Sequence, residues 1–188
     1  MRLSREILAR AVEAYRKIRN TCRYLLANLY DFDPALHSVR VSELQEVDRY
    51  ALARYAAVAG DVLTAYANYD FQTIFQRANQ LTTVDLSAFY ADVSKDRLYT
   101  FRASSPERRS AQTAMYLIAD GLARILAPIL TTTADEVWRH LPGAREASVH
   151  LAEFPSAERV EELKDPALID RWEQLIAIRD EVNRALEA

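Results

Sequence analysis

Glycine is the residue whose scarcity most limits what this chain can fold into. Only three of its 188 residues are glycine, namely Gly60, Gly121 and Gly143. Tight hairpins and the glycine-rich turns of nucleotide-binding α/β folds depend on glycine, because it adopts positive φ without a steric penalty. Half of the residues are hydrophobic and 27% are charged, as in ordinary globular proteins. The composition therefore favours a helical fold, with one domain or one domain and an appendage.

The spacing of apolar residues predicts a long first helix. Between residues 4 and 29 the apolar positions recur at alternating intervals of three and four, which is typical of a helix with one buried stripe. The stripe consists of Leu8, Ala11, Tyr15, Ile18, Cys22, Leu25 and Leu29. We expect Ser4 to cap this helix. Cys22 is the only cysteine, so an internal disulfide is excluded and a role as a small core residue is expected.

Capping signals divide the rest of the chain into further helices. They predict helices over 42–69, 71–81, 84–99, 106–127 and 133–141, and a last helix from 166 to the end. The expected caps are Ser42 with Gln45, Asp70, Thr82 or Thr83, Ser105, Thr133 with Glu136, and Asp165. Residues 142–156 are predicted as a loop with a short extended piece, and residues 156–165 as a linker. The fold class is therefore all-α, a bundle of five or six helices over 1–155 with an additional helix in 156–188.

A search for catalytic and metal-binding patterns is negative. The chain has no glycine-rich phosphate loop. His37, His140 and His150 have no second ligand at metal-binding helical spacing. We therefore expect no catalytic residue, metal ligand or cofactor in this chain. The absence of an 18-residue apolar run predicts no membrane span, and the single cysteine favours a reducing compartment. These observations together predict a cytoplasmic location.

The basic residues are the better functional candidates. The net charge of −3 hides seven basic and two acidic side chains in residues 1–30, against five basic and ten acidic in residues 153–188. Arg16, Arg19 and Arg23 follow one another at intervals of three and four and share a helix face with Asn20. Guanidinium groups at this spacing can follow a phosphate backbone, and asparagine can read a base edge. The alternative is a solvated face that pairs with acidic residues of neighbouring helices.

Two more groups of candidates lie further along the chain. Arg108, Arg109 and Gln112 form the second group. Lys95 and Arg97 form the third, although they point about 200° apart on a helix and cannot both face one ligand directly. Arginine and tyrosine together are a common pairing where single-stranded bases stack. The competing interpretation is that these arginines pair with aspartates inside the bundle.

A series of segments resembles isoleucyl-tRNA synthetases just after their catalytic domain. In order, these segments are AYRKIRNT at 14–21, LLANLYDFDP at 25–34, AYxxYDF at 65–71, VDLSAFY at 84–90, KDRLY at 95–99, RRSAQT at 108–113, LAPIL at 126–130 and ADEVW at 134–138. Together they extend over about residues 4–155. The ordered series is similar to the isoleucine enzymes rather than to their valine or leucine relatives.

The resemblance implies a fold and a role. It implies the anticodon-binding helical bundle of class I aminoacyl-tRNA synthetases over 1–155, with the start of the C-terminal junction region in 156–188. The whole enzyme joins isoleucine to its tRNA with ATP, and ATP, magnesium and zinc are expected for it. This chain contains neither a His-x-Gly-His signature nor a Lys-Met-Ser-Lys-Ser loop. A chain that lacks the catalytic, editing and C-terminal domains is either an excised fragment or a diverged stand-alone relative, and we expect an excised fragment that is inactive by itself. Enzymes of this family are usually monomers, so a monomer is expected.

The expected function is recognition of the anticodon stem-loop of isoleucine tRNA. Nine residues are expected to contact the RNA, namely Arg16, Arg19, Asn20, Arg23, Lys95, Arg97, Arg108, Arg109 and Gln112. The alternative is a helical bundle for protein interaction or structural support that does not bind RNA. An independent enzyme is disfavoured because the sequence offers no nucleophile with its base and no metal site.

Overall fold

A computed structural model describes residues 4–187, and within this range it contains helices and no strand. The α-helices are α1 (Arg5–Ala27), α2 (Pro34–His37), α3 (Glu46–Ala67), α4 (Phe71–Gln80), α5 (Ala91–Thr100), α6 (Pro106–Leu126), α7 (Thr131–His140), α8 (Ala157–Leu163) and α9 (Pro166–Leu186). A π-helical segment, Leu81–Tyr90, joins α4 to α5, and short 3-10 turns occupy Val41–Glu43 and Val149–Leu151. The predicted all-α fold class is confirmed.

Helices α3 and α6 form the centre of the bundle. They pack on each other, and Gly121 of α6 allows a close approach, because a Cβ there would lie 1.8 Å from the hydroxyl oxygen of Tyr55 on α3. Helices α1 and α7 cover α6 on one side, whereas α8 and α9 pack on α3. The core between these helices is filled by large buried side chains such as Leu25, Leu52 and Trp138.

Helix α1 is confirmed, but the predicted buried stripe is only half right. The Ser4 side chain accepts a hydrogen bond from the backbone N–H of Ile7, as expected of an N-cap. The second half of the stripe is buried from Ile18 onwards. In the first half Leu8 and Tyr15 are 48% and 38% exposed, and the Tyr15 hydroxyl reaches that of Thr133 on α7 at 3.0 Å. Helical periodicity predicts which residues share a face, but not whether a partner covers that face.

Before α6, two of the predicted helix starts are wrong, at Ser42 and at Thr82 or Thr83. Ser42 lies in the first 3-10 turn, and α3 begins only after Gln45. Thr82 does not begin a new helix. Its hydroxyl donates to the carbonyl of Ala78, and the helical backbone continues through it. The chain passes from α4 through the π segment into α5 without a break. A threonine hydroxyl serves equally at a cap and in back-bonding within a helix, and the sequence pattern did not separate the two.

Further differences occur after α6. The predicted cap of Thr133 with Glu136 is wrong, because α7 already begins at Thr131 without a side-chain cap. The predicted extended piece within 142–156 is replaced by the second 3-10 turn. Residues 156–165 are not a linker, since they contain α8, whose Val160 and Leu163 are buried against the bundle. The predictions of α6 and α9, capped by Ser105 and Asp165, are confirmed.

A buried polar network joins four helical elements. The Asp48 side chain of α3 has no exposed surface, and its carboxylate accepts hydrogen bonds from Tyr90, Arg97 and Ser110. These donors come from the π segment, α5 and α6. Burial opposes the charge of Arg97, but the hydrogen bonds and charge of Asp48 outweigh burial, so that the pKa of Arg97 lies above its ordinary value. The network therefore depends on a charged pair that is shielded from water.

A second polar contact fastens the loop after α7 to that helix. The Asp135 carboxylate accepts hydrogen bonds from the Ser148 hydroxyl at 2.6 Å and from the backbone N–H of Val149 at 3.2 Å. The Ser148 hydrogen bond is the largest of several effects that lower the pKa of Asp135 below its ordinary value of 3.8. The hydrogen bonds favour the charged carboxylate, so protonation weakens the attachment of the loop.

This contact predicts a pH effect of defined sign. Because the folded-state pKa of Asp135 is lowered, its stabilising contribution is present above pH 3.8 and is lost as the pH falls through the folded-state pKa. We expect Ser148→Ala to raise the pKa of Asp135 towards 3.8 and to reduce this contribution. Carboxyl-carbon NMR across an acid titration measures the shift directly. An unchanged pKa of Asp135 in Ser148→Ala would contradict the assignment.

Candidate nucleic-acid interface

The predicted arginine row of α1 lies on an exposed ridge. Arg16, Asn20 and Arg23 are exposed at intervals of four and three, opposite the buried positions Ile18 and Leu25. Because α1 has 3.6 residues per turn, these three residues form one line along its outer face. Their local sequence forms a helix because a Ser4 cap precedes an apolar stripe that packs on α6 and the π segment. We call this line of Arg16, Asn20 and Arg23, with Arg19 beside it, the α1 ridge.

A groove of about 470 Å³ separates the α1 ridge from α7. Its lining residues are Arg19, Arg23, Leu26, Ala27, Thr133, Glu136, Val137 and His140. One terminal nitrogen of Arg19 bonds to both carboxylate oxygens of Glu136, at 3.1 and 3.2 Å. Both side chains are about half exposed, so this pair contributes only about 0–1 kcal/mol and can exchange partners. The groove thus combines an apolar floor with a charged rim.

A smaller groove of about 210 Å³ lies on the other side of α1, against the π segment and α5. Asn20 and Tyr24 of α1 face Lys95 of α5 across it. The Tyr24 hydroxyl donates to the backbone carbonyl of Ala91 at 3.1 Å. Burial, followed by the neighbouring hydroxyl of Tyr99, raises the pKa of Tyr24 above its ordinary value. Lys95 is exposed and bonds to Asp92 at 2.9 Å on its own helix.

The π segment is held in place by the same face of α1. The Thr21 hydroxyl donates to the carbonyl of Thr82 at 3.0 Å, near the start of the segment, and Tyr24 bonds to Ala91 just after its end. A π-helical turn disturbs the regular i to i−4 bonding pattern and is frequently found at functional sites. Two hydroxyls of α1 therefore support irregular backbone next to the smaller groove.

Four of the nine predicted contact residues are instead held inside the bundle. Gln112 is fully buried and donates to the carbonyl of Asn28 at 2.9 Å and to Asp31 at 2.7 Å. Arg108 donates to the same carboxylate at 3.0 Å, and Arg109 donates to the carbonyl of Asp31 at 2.9 Å. These bonds hold the end of α1 against α6.

Arg97 is likewise held in the protein interior. It is held by the buried carboxylate of Asp48 in the network described above. The structure therefore does not present Arg97, Arg108, Arg109 or Gln112 to a nucleic acid. For the three arginines the structure supports the alternative of internal arginine–aspartate pairs, because Arg97 pairs with Asp48 and both Arg108 and Arg109 pair with Asp31.

The other five predicted residues lie around α1. Arg16, Arg19, Asn20 and Arg23 belong to the ridge, and Lys95 lies across the smaller groove. Among residues 4–187 Arg23 forms no ion pair, whereas Arg16 is paired only with the exposed Glu13 at 3.3 Å. These cations are thus available to an anionic ligand.

Sequence reasoning missed two residues of the larger groove and one residue beside the smaller groove. Glu136 and His140 line the larger groove one turn apart on α7, and Tyr99 lies next to Tyr24 beside the smaller one. A signal for Tyr99 existed, since it follows Lys95 by one helical turn. No sequence signal indicated that Glu136 faces Arg19, because the two residues are 117 positions apart.

No cluster of three or more histidine, cysteine, aspartate or glutamate side chains is placed to hold a metal ion within residues 4–187. Over the same range, no helix has both the length and the apolar character that crossing a membrane requires.

Comparison with known proteins places the chain in a family. Residues 48–188 match the family described as the anticodon-binding domain of tRNA ligase. The chain is 49% identical to the isoleucine–tRNA ligase of Geobacter sulfurreducens, 47% identical to that of Syntrophotalea carbinolica and 48% identical to that of Methylococcus capsulatus. Each match covers 100% of this chain and 20% of the relative, so the chain spans a fifth of the length of these ligases. The chain therefore belongs to the family of anticodon-binding domains of tRNA ligases, and it resembles the isoleucine–tRNA ligases throughout its length.

Proposed function

We propose that this chain recognises the anticodon stem-loop of isoleucine tRNA through the α1 ridge and the two grooves beside it. The observation that carries the proposal is the row of exposed cations on α1, flanked by grooves on both sides. Phosphate contacts from Arg16 and Arg23 would set the register of the RNA, whereas base contacts within the grooves, where Arg19 lies, would supply sequence preference. Unpaired loop bases expose edges that a base pair hides, so grooves of this size suit a loop rather than a duplex.

The proposal extends to the longer protein of which such a domain is a part in its relatives. There the domain would serve an isoleucine–tRNA ligase that joins isoleucine to its tRNA with ATP. The catalytic, editing and C-terminal domains, together with ATP, magnesium and zinc, would belong to other parts of that protein, and this chain alone would be inactive. We propose a cytoplasmic monomer, in keeping with the role of such an enzyme in translation.

A binding titration tests the proposal. The chain is titrated with an isoleucine tRNA transcript and with an otherwise identical transcript whose anticodon is substituted, each at two salt concentrations. We expect salt-sensitive binding that prefers the native anticodon. Absence of binding to either transcript, or equal binding to both, would overturn the proposal.

The ridge arginines predict a specific loss. We expect Arg16→Ala/Arg19→Ala to weaken tRNA binding about tenfold or more and to reduce the salt slope by about one for each phosphate contact removed. Stability should change little, because the ion pairs of both arginines are exposed. Fluorescence anisotropy over a range of salt concentrations measures both quantities.

A matched control removes two exposed, ion-paired arginines from the opposite side of the bundle. Arg159 on α8 and Arg171 on α9 are 47% and 57% exposed, and both helices pack on α3. Arg159→Ala/Arg171→Ala removes the same net charge and is expected to leave the affinity within about twofold. Equal effects of the two double variants would mean that the RNA responds only to overall charge.

A second candidate function, docking to another protein surface, is favoured by one observation. The first half of α1 leaves Ile7, Leu8 and Val12 about half exposed, with no partner among residues 4–187. Loss of this apolar surface would not alter RNA binding if the proposal is correct. Ile7→Ser/Val12→Ser therefore separates the two functions, since only a docking function is expected to respond to it.

A further inference from the structure

The larger groove has the dimensions and lining of a site for one nucleotide. Its volume of about 470 Å³ lies within the range of about 300–1,000 Å³ that is usual for small-ligand sites. Leu26, Ala27 and Val137 provide an apolar floor, against which the face of a base can lie. Arg23 at the rim has no carboxylate partner among residues 4–187, so it is available to the phosphate of the same nucleotide.

The rim of the groove carries a carboxylate, which is not expected in a site that binds only phosphate. Glu136 is about half exposed and faces the groove, and its two oxygens both contact Arg19. A carboxylate repels phosphate but accepts hydrogen bonds from base edges. One nitrogen of Arg19 bridges both oxygens, but this pair is about half exposed, so Arg19 can turn aside and leave both oxygens of Glu136 to accept from a base edge. The groove is therefore suited to a base edge that donates.

Guanine is the base whose edge best matches the two acceptor oxygens of Glu136. Its Watson–Crick edge presents two adjacent donors, N1–H and the N2 amino group, beside the acceptor O6. Adenine and cytosine place one donor next to an acceptor on that edge, and uracil places one donor between two acceptors. Only guanine can therefore give two parallel hydrogen bonds to the carboxylate of Glu136 while O6 accepts from a guanidinium such as that of Arg19.

We propose that the groove between α1 and α7 receives one unpaired guanine of the bound RNA, and that Glu136 is the residue that selects it. The inference rests on the proposed function and specifies one of its base contacts. In this arrangement Glu136 accepts from N1–H and N2–H, Arg19 donates to O6, and Arg23 contacts the phosphate. The negative charge of Glu136 weakens the non-specific attraction of the groove for RNA, but it lets the groove prefer one base over the others.

Inosine is the probe, because it differs from guanine only by lacking the N2 amino group. Each loop guanine of the isoleucine anticodon stem-loop is replaced in turn by inosine, and binding is measured for the unsubstituted chain and for Glu136→Gln. For the unsubstituted chain we expect one inosine position to weaken binding about fivefold or more. For Glu136→Gln we expect the same substitution to change binding less than twofold, because the amide has one acceptor oxygen where the two guanine donors need two, and its NH2 group opposes the second donor.

The matched control is Glu161→Gln, which removes an exposed, ion-paired carboxylate on α8. It should retain the full inosine penalty. An equal inosine penalty in Glu136→Gln and in the unsubstituted chain, or no penalty at any loop position, would overturn the inference while leaving RNA binding established. Tighter binding of every RNA by Glu136→Gln with unchanged base preference would overturn it too, because Glu136 would then only repel phosphate. Absence of any binding by the unsubstituted chain would overturn the proposed function itself.

Discussion

Asp48→Asn is expected to lower the free energy of unfolding by about 3–5 kcal/mol, which is a large part of the stability of an ordinary domain. The substitution keeps the shape of the side chain but removes its charge. The guanidinium of Arg97, which now lies 2.7 and 2.8 Å from the carboxylate oxygens, would be left as a largely buried charge without a counter-ion. Tyr90 and Ser110 would each lose a charged acceptor as well. Chemical denaturation followed by circular dichroism measures the loss.

Two further variants show whether the charge of Arg97 causes the effect. Asp48→Asn/Arg97→Met removes both charges and should recover part of the stability, because an apolar side chain of similar length is less costly to bury. Asp61→Asn is the exposed control, since its ion pair with Arg77 is about half exposed and should change stability by about 1 kcal/mol or less. A loss below about 1 kcal/mol for Asp48→Asn would contradict the central role of this network.

Trp138→Ala is expected to cost about 3–5 kcal/mol and to loosen α7. The indole is 1% exposed, and its N–H donates to the carbonyl of Glu146 at 2.8 Å. The guanidinium carbons of Arg124 and Arg145 lie 4.7 and 4.6 Å from the ring centroid. These contacts fix α7 against α6 and against the loop that follows it. Hydrogen exchange of the α7 amides should therefore accelerate more than that of α3.

The same substitution links stability to the proposed function. Glu136 lies on α7, so a loose α7 displaces one wall of the larger groove. We expect Trp138→Ala to weaken RNA binding, and Trp138→Phe to do so less, because phenylalanine retains most of the packing. Trp172→Ala is the matched control, since that ring packs on Tyr50 at 5.4 Å and does not line the larger groove. Equal losses of RNA affinity in Trp138→Ala and Trp172→Ala would show that general destabilisation is responsible.

Most helices followed from short-range patterns in the sequence. The caps at Ser4, Asp70, Ser105 and Asp165 were predicted, and each accepts the expected backbone hydrogen bond. These signals succeed because a cap acts on a backbone N–H only two or three residues away. The cap at Thr82 failed because its hydroxyl bonds back to the carbonyl of Ala78 instead, and the same threonine accepts at its carbonyl from Thr21, which is 61 positions distant.

The candidate interface was only partly predictable. In the sequence, Arg16 and Arg97 both lie near tyrosines on predicted helices, and nothing local distinguishes a surface cation from a buried one. The distinction depends on carboxylates that are remote in sequence, because Asp48 is 49 positions from Arg97 and Asp31 is 77 positions from Arg108. Spacing along one helix carries no information about such partners.

The sequence by itself determined the helical class, the positions of most helices, the resemblance to a tRNA ligase family and the basic face of α1. Each of these depends on composition, on spacing within a few residues or on an ordered series of motifs. Only the tertiary structure decided which basic residues remain available, that α8 replaces the expected linker, and that Glu136 faces Arg19 across a groove. Those features depend on which distant surfaces meet, and that is settled by packing of the whole bundle rather than by any local preference.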